Sequence, residues 1–590
     1  MGTAGRVIPT VAALLLGALP LVAGDGNAAM NMSTGVQKLN PPQDLSMSYF
    51  RYGHHGRWML AHSTLMILAW VVVFPVAIAL SAARSRYHLP AQAVFHIVNG
   101  LGLFTGFVYN HATPDLYTNN AHHPIGWIVT SLTVVWTAAS MYTSYCDYKS
   151  TGPASAQGQS KLCQAVARYA RLGDYSDQSP PRPSRDSAMG SSRQSSSESV
   201  DQKPEGPQSL AGDEEQGEDD DEEVLEGRGF LGKTRTSRLV SRHVRRFTTP
   251  SVSRTVRFSQ IVLEKLLLLL GFVAFTTGFV VYGGIAHGWQ VLSILAHFIK
   301  GGLFFWYGLL TLGRWMGAFT EFGWAWNIRP DYPLVARWKA RVPSAEFTES
   351  FVFWLYGASN VFLEHLNGGE WTPQDFEHLS ITILFFGGGL LGMLIELPWA
   401  REMMNTTVVQ QQDRDIALTS TARSVAGAAA ATDEPTDQLW QEPATYKLPM
   451  NPMPGLVVML LGILMAAHQQ NSVASTMMHS QWGTLFFVFA LARGVTYIML
   501  YLKPPTSHYP ARPPSELISA FCLISGGLLF MVSAHDTVWA IESNDLDAMT
   551  IFTVTLGLTG VVMAWEVVVF SIKGWAVRRE RAAAGKAVAS

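Results

Sequence analysis

Residues 58–82, WMLAHSTLMILAWVVVFPVAIALSA, contain no Asp, Glu, Lys or Arg, and their one titratable side chain is His62. A run of this character crosses a bilayer as a helix. The hydrocarbon layer needs roughly 20 apolar residues, and only a helix or a closed barrel satisfies its own backbone polar groups there. Comparable runs follow at about 92–112, 125–145, 258–282, 289–312, 346–363, 376–397, 454–468, 482–502, 515–534 and 548–572, the eighth span of the series, 454–468, being the shortest. Apolar residues make up 48% of the 590 and charged residues only 15%. The expected fold is therefore all-α: a polytopic integral membrane protein of about eleven transmembrane helices in two blocks, with disordered cytosolic loops.

Charge position orients such a chain. Residues 1–24 read as a signal peptide, with Arg6 before an apolar core from Val11 to Val22 and small Ala23-Gly24 at the cleavage region. Residues 25–57 then form a lumenal or extracellular segment, where Asn31-Met32-Ser33 is a glycosylation sequon. Basic residues fall on alternate loops assigned to the cytosol: Arg84/Arg86, Arg329/Arg337/Lys339/Arg341, Arg401, Lys503/Arg512 and the tail 573–590. The segment 146–257 joins an acidic run, Asp219-Asp220-Asp221-Glu222-Glu223, to a basic one from Lys233 to Arg246. Such composition cannot bury a core and predicts disorder, its basic end lying against anionic lipid. A second linker, 402–453, is rich in Ala, Thr and Gln and reads as loosely ordered, dividing the later spans into 258–401 and 454–572. The three cysteines, Cys146, Cys163 and Cys522, imply no disulfide framework. A formal net charge of −2 argues against nucleic acid as a partner; membrane lipid is the expected one.

Histidines carry the chemical signal. Of 17, twelve lie at one end of the expected spans, opposite the basic loops: His54, His55, His62, His111, His122, His123, His287, His365, His378, His468, His479 and His535. His62 opens the first span, His122-His123-Pro124 the third, and those helices run in the same direction, so His62 and His122 or His123 reach one depth. Two neutral imidazoles facing each other between helices can ligate a haem iron axially. His96 lies in the second span. In the later spans, Glu364-His365 and Glu377-His378 flank a short hairpin and could ligate a divalent metal. Charges within spans are costly and functional or paired; Lys300, Arg493 and Glu566 are of this kind, with Arg493 the better matched in depth to Glu566.

The opening His62-Ser63-Thr64-Leu65-Met66 to Trp70, the mid-span His96 and the His122-to-Gly126 spacing resemble the cytochrome b-561 family over about 55–145. That resemblance implies haem b held by His62 and His122, electron transport, and, were the chain an enzyme, a ferric or cupric reductase. The sequence departs from the family where the fourth span, opening at Ser259-Gln260-Ile261, offers no histidine to His96. The segment His297-Phe298-Ile299-Lys300-Gly301-Gly302, with Glu364-His365 and Glu377-His378, resembles the transmembrane-protein-45 group. Signal peptide, triple span, acidic hinge and this C-terminal block together resemble the fungal Ytp-type membrane proteins, which implies a multispan protein of the endomembrane system or plasma membrane. Three functions follow as expectations: haem-based electron transfer with a redox partner protein, histidine-based handling or transport of metal ions, and a non-catalytic membrane scaffold.

Overall fold

Pro75 shapes the first membrane helix. It has no N–H to give the carbonyl of Val71 one turn earlier, and the helix α1, Gly56–Ala82, widens into a π-turn over Leu68–Val73 just before it. The freed Val71 carbonyl accepts instead from Trp565 Nε1 at 2.8 Å, on the last helix of the chain. A backbone defect inside a membrane span is thus satisfied by a neighbouring helix.

The computed structural model describes residues 48–150, 250–286, 290–360, 373–426, 443–468, 470 and 472–589. The expected signal peptide, Asn31 and most of the acidic 146–257 segment lie outside them. Every regular element among the described residues is a helix. Numbering those longer than eight residues, α1 is followed by α2 His88–Ala112, α3 His122–Ser150, α4 Pro250–Gly283, α5 Gln290–Met316, α6 Ala345–Asn360 and α7 Pro373–Glu396. Then come α8 Pro398–Ala426, α9 Met453–Ala467, α10 Val473–Leu502, α11 Ser515–Val532, α12 His535–Ser543 and α13 Ala548–Ala589. Nine of the described helices are long and apolar enough to cross a membrane. The chain is a polytopic membrane protein. The other two expected spans, 346–363 and 454–468, appear as the shorter helices α6 and α9.

One expectation needs correction. Part of the 402–453 linker is helix, because no Gly or Pro interrupts the chain between Pro398 and Gly427 and α8 runs through to Ala426. The basic tail continues α13 to Ala589. α10 starts at Val473, earlier than its apolar run, because the Ser472 side chain caps it by accepting from Ser475 N at 3.1 Å.

The described residues of Met1–Thr133 and Leu266–Ser590 form one compact unit, and those of Val134–Lys265 a second. In the second, Trp136 Nε1 donates to Glu264 Oε1 (3.2 Å), Thr143 Oγ1 to Gln260 Oε1 (3.0 Å), and Arg257 pairs with Asp147 at 2.6 Å. In the first, α2 shows how the helices sort their faces. Ile97, Leu101, Phe104 and Phe107 form an exposed apolar stripe, while Gln92, Phe95, Asn99, Gly102 and Thr105 are buried. Lipid is as apolar as leucine, so association is driven by close packing and interhelical hydrogen bonds rather than by escape from water. Glycines make that packing tight between α5 and α11. A Cβ on Gly301 would stand 2.6 Å from the Gly527 carbonyl oxygen, and one on Gly527 2.6 Å from the Gly301 oxygen. Around this crossing Phe304, Trp482, Phe486, Phe489, Leu523 and Phe530 form the buried core.

Candidate functional site

The polar face of α2 packs against α1. Trp70 Nε1 of α1 donates to Asn99 Oδ1 at 3.0 Å. Two turns before Trp70, His62 Nδ1 stands 2.8 Å from the carbonyl oxygen of Gly102. A carbonyl can only accept, so Nδ1 carries the proton and Nε2 keeps its lone pair in the neutral ring. Gly106 makes this approach feasible, since a Cβ there would lie 2.6 Å from His62 Nδ1.

His122, the first residue of α3, is held in the same way by α4. Its Nδ1 is 3.0 Å from the Ala274 oxygen and 3.4 Å from Thr277 Oγ1. Gly278 lies beneath the ring, where a Cβ would come within 3.0 Å of His122 Cε1. The imidazoles of His62 and His122 face each other with centres 6.4 Å apart and planes at 83°. An imidazole nitrogen is roughly 1.1 Å from its ring centre, so two trans rings on one metal with ~2.0 Å bonds have centres ~6.3 Å apart. The pair has the spacing of axial ligands. Neither Nε2 has a hydrogen-bond partner, and no other ring lies against either imidazole, among the described residues. Two neutral imidazoles at this separation are a donor set that suits a haem iron.

The other candidate histidines of this block lie elsewhere. His123 is exposed and its Nε2 accepts from Trp127 Nε1 at 3.4 Å. His96 sits with its ring centre 5.3 Å from that of Phe95, six residues before Gly102 and so roughly 9 Å along the helix axis. Of the proposed metal ligands, Glu364 and His365 fall outside the described residues. Glu377 pairs with His468 Nδ1 at 2.7 Å, whereas the His378 carbonyl accepts from Thr382 Oγ1. No group of three His, Cys, Asp or Glu side chains able to hold a metal occurs among the described residues.

Arg493 does not pair with Glu566. It meets Glu349 of α6 at 3.4 Å and Glu516 of α11 at 2.8 Å, the latter an ion contact whose N–H is directed off the oxygen. Glu349 also binds Arg314 of α5 (2.7 Å), which binds Glu346 (3.0 Å) and the Trp324 carbonyl (2.6 Å). Trp326 receives both guanidinium groups on its ring, at 4.3 Å from Arg314 and 5.8 Å from Arg493. All five charged side chains are 5% exposed or less. Sequence reading missed four of them, although Glu346 and Glu349, three apart and hence on one helical face, marked α6 as facing a cation. Glu566 stands beside Gly313, and its Oε2 has no hydrogen-bond partner among the described residues. Lys300 lies over the Tyr356 ring at 5.8 Å.

Comparison with known proteins follows this architecture. A family described as protein YTP1-like, C-terminal, matches residues 270–574, and a domain of unknown function, DUF2427, matches 43–146. The uncharacterized membrane protein C3B8.06 of Schizosaccharomyces pombe is 33% identical over 556 residues, covering 91% of this chain and 98% of its own. The uncharacterized membrane protein YCR061W of Saccharomyces cerevisiae is 34% identical over 52% of this chain and 47% of its own. Protein YTP1 of the same yeast is 21% identical over 52% of this chain and 50% of its own. No solved structure matches. The two matched regions divide the chain at the hinge, with His62 and His122 in the first and the Arg314–Arg493 network in the second, and the chain belongs to the YTP1-like family of fungal membrane proteins.

Proposed function

We propose that this membrane protein binds one haem b and takes part in electron transfer, with His62 and His122 as the residues that would hold it. The observation that carries the reading is the facing pair at 6.4 Å, each ring anchored through Nδ1 to a backbone carbonyl of another helix. Bound haem would supply a one-electron ferric/ferrous couple. The chain's own residues do the rest. The Gly102 and Ala274 carbonyls fix tautomer and ring orientation. Gly106 and Gly278 give each ring its seat. In this reading the pair lies on the lumenal or extracellular side of an endomembrane or plasma membrane, opposite the basic loops, where ferric or cupric ions are suitable acceptors. A redox partner protein supplies electrons in this scheme, since the sequence carries no nicotinamide- or flavin-binding signature.

The test is the visible spectrum of detergent-purified, haem-supplemented protein, oxidised and dithionite-reduced, for wild type, His62→Ala and His122→Ala. A six-coordinate b-type spectrum at one haem per chain, lost in both variants, is expected. A featureless spectrum from well-folded wild type would overturn the reading. Haem retained by both variants would place it elsewhere.

A further inference from the structure

A second imidazole pair lies in the C-terminal block. His297 of α5 and His479 of α10 have ring centres 6.4 Å apart and planes at 83°, the separation and angle of the His62–His122 pair. Each Nδ1 is 2.8 Å from the carbonyl of the preceding turn, Ser293 for His297 and Ser475 for His479. Both rings therefore hold their proton on Nδ1 and keep the Nε2 lone pair, for which no partner occurs among the described residues.

The surroundings differ from those of the first pair. Phe530 lies 5.5 Å from His297, Trp482 lies 5.5 Å from His479, and these two rings stack on each other at 4.4 Å. The vector between the two midpoints is the mean of two ring-to-ring vectors of 5.5 Å, so the stack is centred no more than 5.5 Å from the middle of the histidine pair. A haem's ring carbons reach roughly 4 Å from the iron and need ~3.5 Å of further clearance. The stack closes this space to a macrocycle and leaves room for a bare ion.

Ring separation selects among ions. Two imidazoles on a tetrahedral ion such as zinc would bring their centres to about 5 Å, whereas 6.4 Å requires a nearly linear N–metal–N arrangement. No third His, Cys, Asp or Glu joins the pair among the described residues, and His468 is engaged by Glu377. Lys300, one turn further along α5 from His297, adds positive charge nearby. A divalent ion with two neutral ligands would be severely under-compensated in a membrane interior. Cuprous ion accepts two linear nitrogen ligands, carries a single charge and is suited by imidazole. We infer that His297 and His479, walled by Trp482 and Phe530, form a two-coordinate cuprous-ion site separate from the His62–His122 pair.

The test uses the full chain in detergent, stripped with chelator and titrated anaerobically with Cu(I) against bicinchoninate. One Cu(I) per chain is expected, with affinity falling at least tenfold in His297→Ala and in His479→Asn and unchanged in His111→Ala. Variants are compared only where size-exclusion profiles match wild type. X-ray absorption of copper-loaded wild type, which needs no variant, should show two nitrogen donors and no sulfur. Failure of wild type to bind Cu(I), binding that survives both substitutions, or four-coordinate copper would each overturn the proposal. So would loss of haem absorbance in His297→Ala, which would place a macrocycle here. Haem content is read on the same samples, so failure of the His62–His122 reading leaves this result separately legible.

Discussion

Replacing Arg493 by Met tests whether the buried ionic network holds α5, α6, α10 and α11 together. Arg493 is 2% exposed, and Glu516, 0% exposed, has it as its ion-pair partner among the described residues. The substitution leaves Glu516 charged and uncompensated, while Glu349 keeps Arg314. Removing one partner of a buried pair costs about 3–5 kcal/mol, mostly the penalty of the stranded charge. Thermal unfolding in detergent, followed by loss of the monodisperse size-exclusion peak, should show a fall on the order of 10 °C at equal scan rate. The double variant Arg493→Met/Glu516→Leu removes both charges and should recover most of that loss, giving a coupling energy of about 2 kcal/mol or more. Lys339→Ala is the control. Its contact with Glu321 at 2.9 Å joins side chains 28% and 45% exposed, and an exposed pair contributes below ~1 kcal/mol. A single Met variant that melts with wild type, or a double variant worse than the single, would refute the stranded-charge argument.

Gly106→Ala should dislodge His62, because the new methyl would stand 2.6 Å from Nδ1; haem retention should fall severalfold while Gly100→Ala, with nothing within 4 Å, leaves it unchanged in the same spectral assay. Trp565→Phe leaves the Val71 carbonyl without its 2.8 Å donor and should cost about 1–3 kcal/mol, read as a lower melting temperature. Tyr117→Phe removes the hydroxyl that lies 2.8 Å from the Ile285 oxygen and 2.9 Å from that of Ala286, for about 1 kcal/mol. Burial, and then the Asp536 charge, raise the Tyr117 pKa above its usual 10. The folded state therefore holds the proton more tightly than the unfolded chain, so this contribution is complete below about pH 10 and drains only above it. Stability differences between wild type and Tyr117→Phe should be flat from neutral pH to about 9.

The membrane fold was legible because its signal is the length of apolar runs, and even the short α9 was visible as a weak run. Helix ends were less so. α10 begins at a serine cap and α8 continues through polar residues, features of hydrogen bonding and of missing breakers rather than of hydropathy. His62 and His122 were legible as a pair because parallel helices bring equal positions to equal depth. His123 was excluded only by helical phase, which turns it toward Trp127. His297 and His479 stand apart in the chain by more than the whole of α6 to α9, and nothing in either local segment announces the other. Arg493 was recognised as an intramembrane charge, but matching depth named the wrong carboxylate. Depth is one coordinate, and the partner depends on which helix packs beside α10.

The two imidazole pairs share a spacing but differ in what holds it. In the first, each ring is tied to a carbonyl of a different helix, so four helices set the 6.4 Å separation directly. In the second, each ring is tied to its own helix, and the separation depends on how α5 and α10 pack around α11. Gly527→Ala distinguishes these arrangements. Its methyl would lie 2.6 Å from both the Gly301 oxygen and the Phe305 nitrogen, backbone atoms that cannot rotate away, so α5 must move off α11 by roughly 1 Å to reach normal contact. A linear two-ligand site tolerates little change in ligand spacing, and Cu(I) affinity should fall at least tenfold. Haem at His62 and His122 should be retained at wild-type stoichiometry, because none of its anchoring carbonyls lies on α5 or α11. Loss of both ligands together would mean that the pairs share one mechanical support, and the separation argued from their anchors would fail.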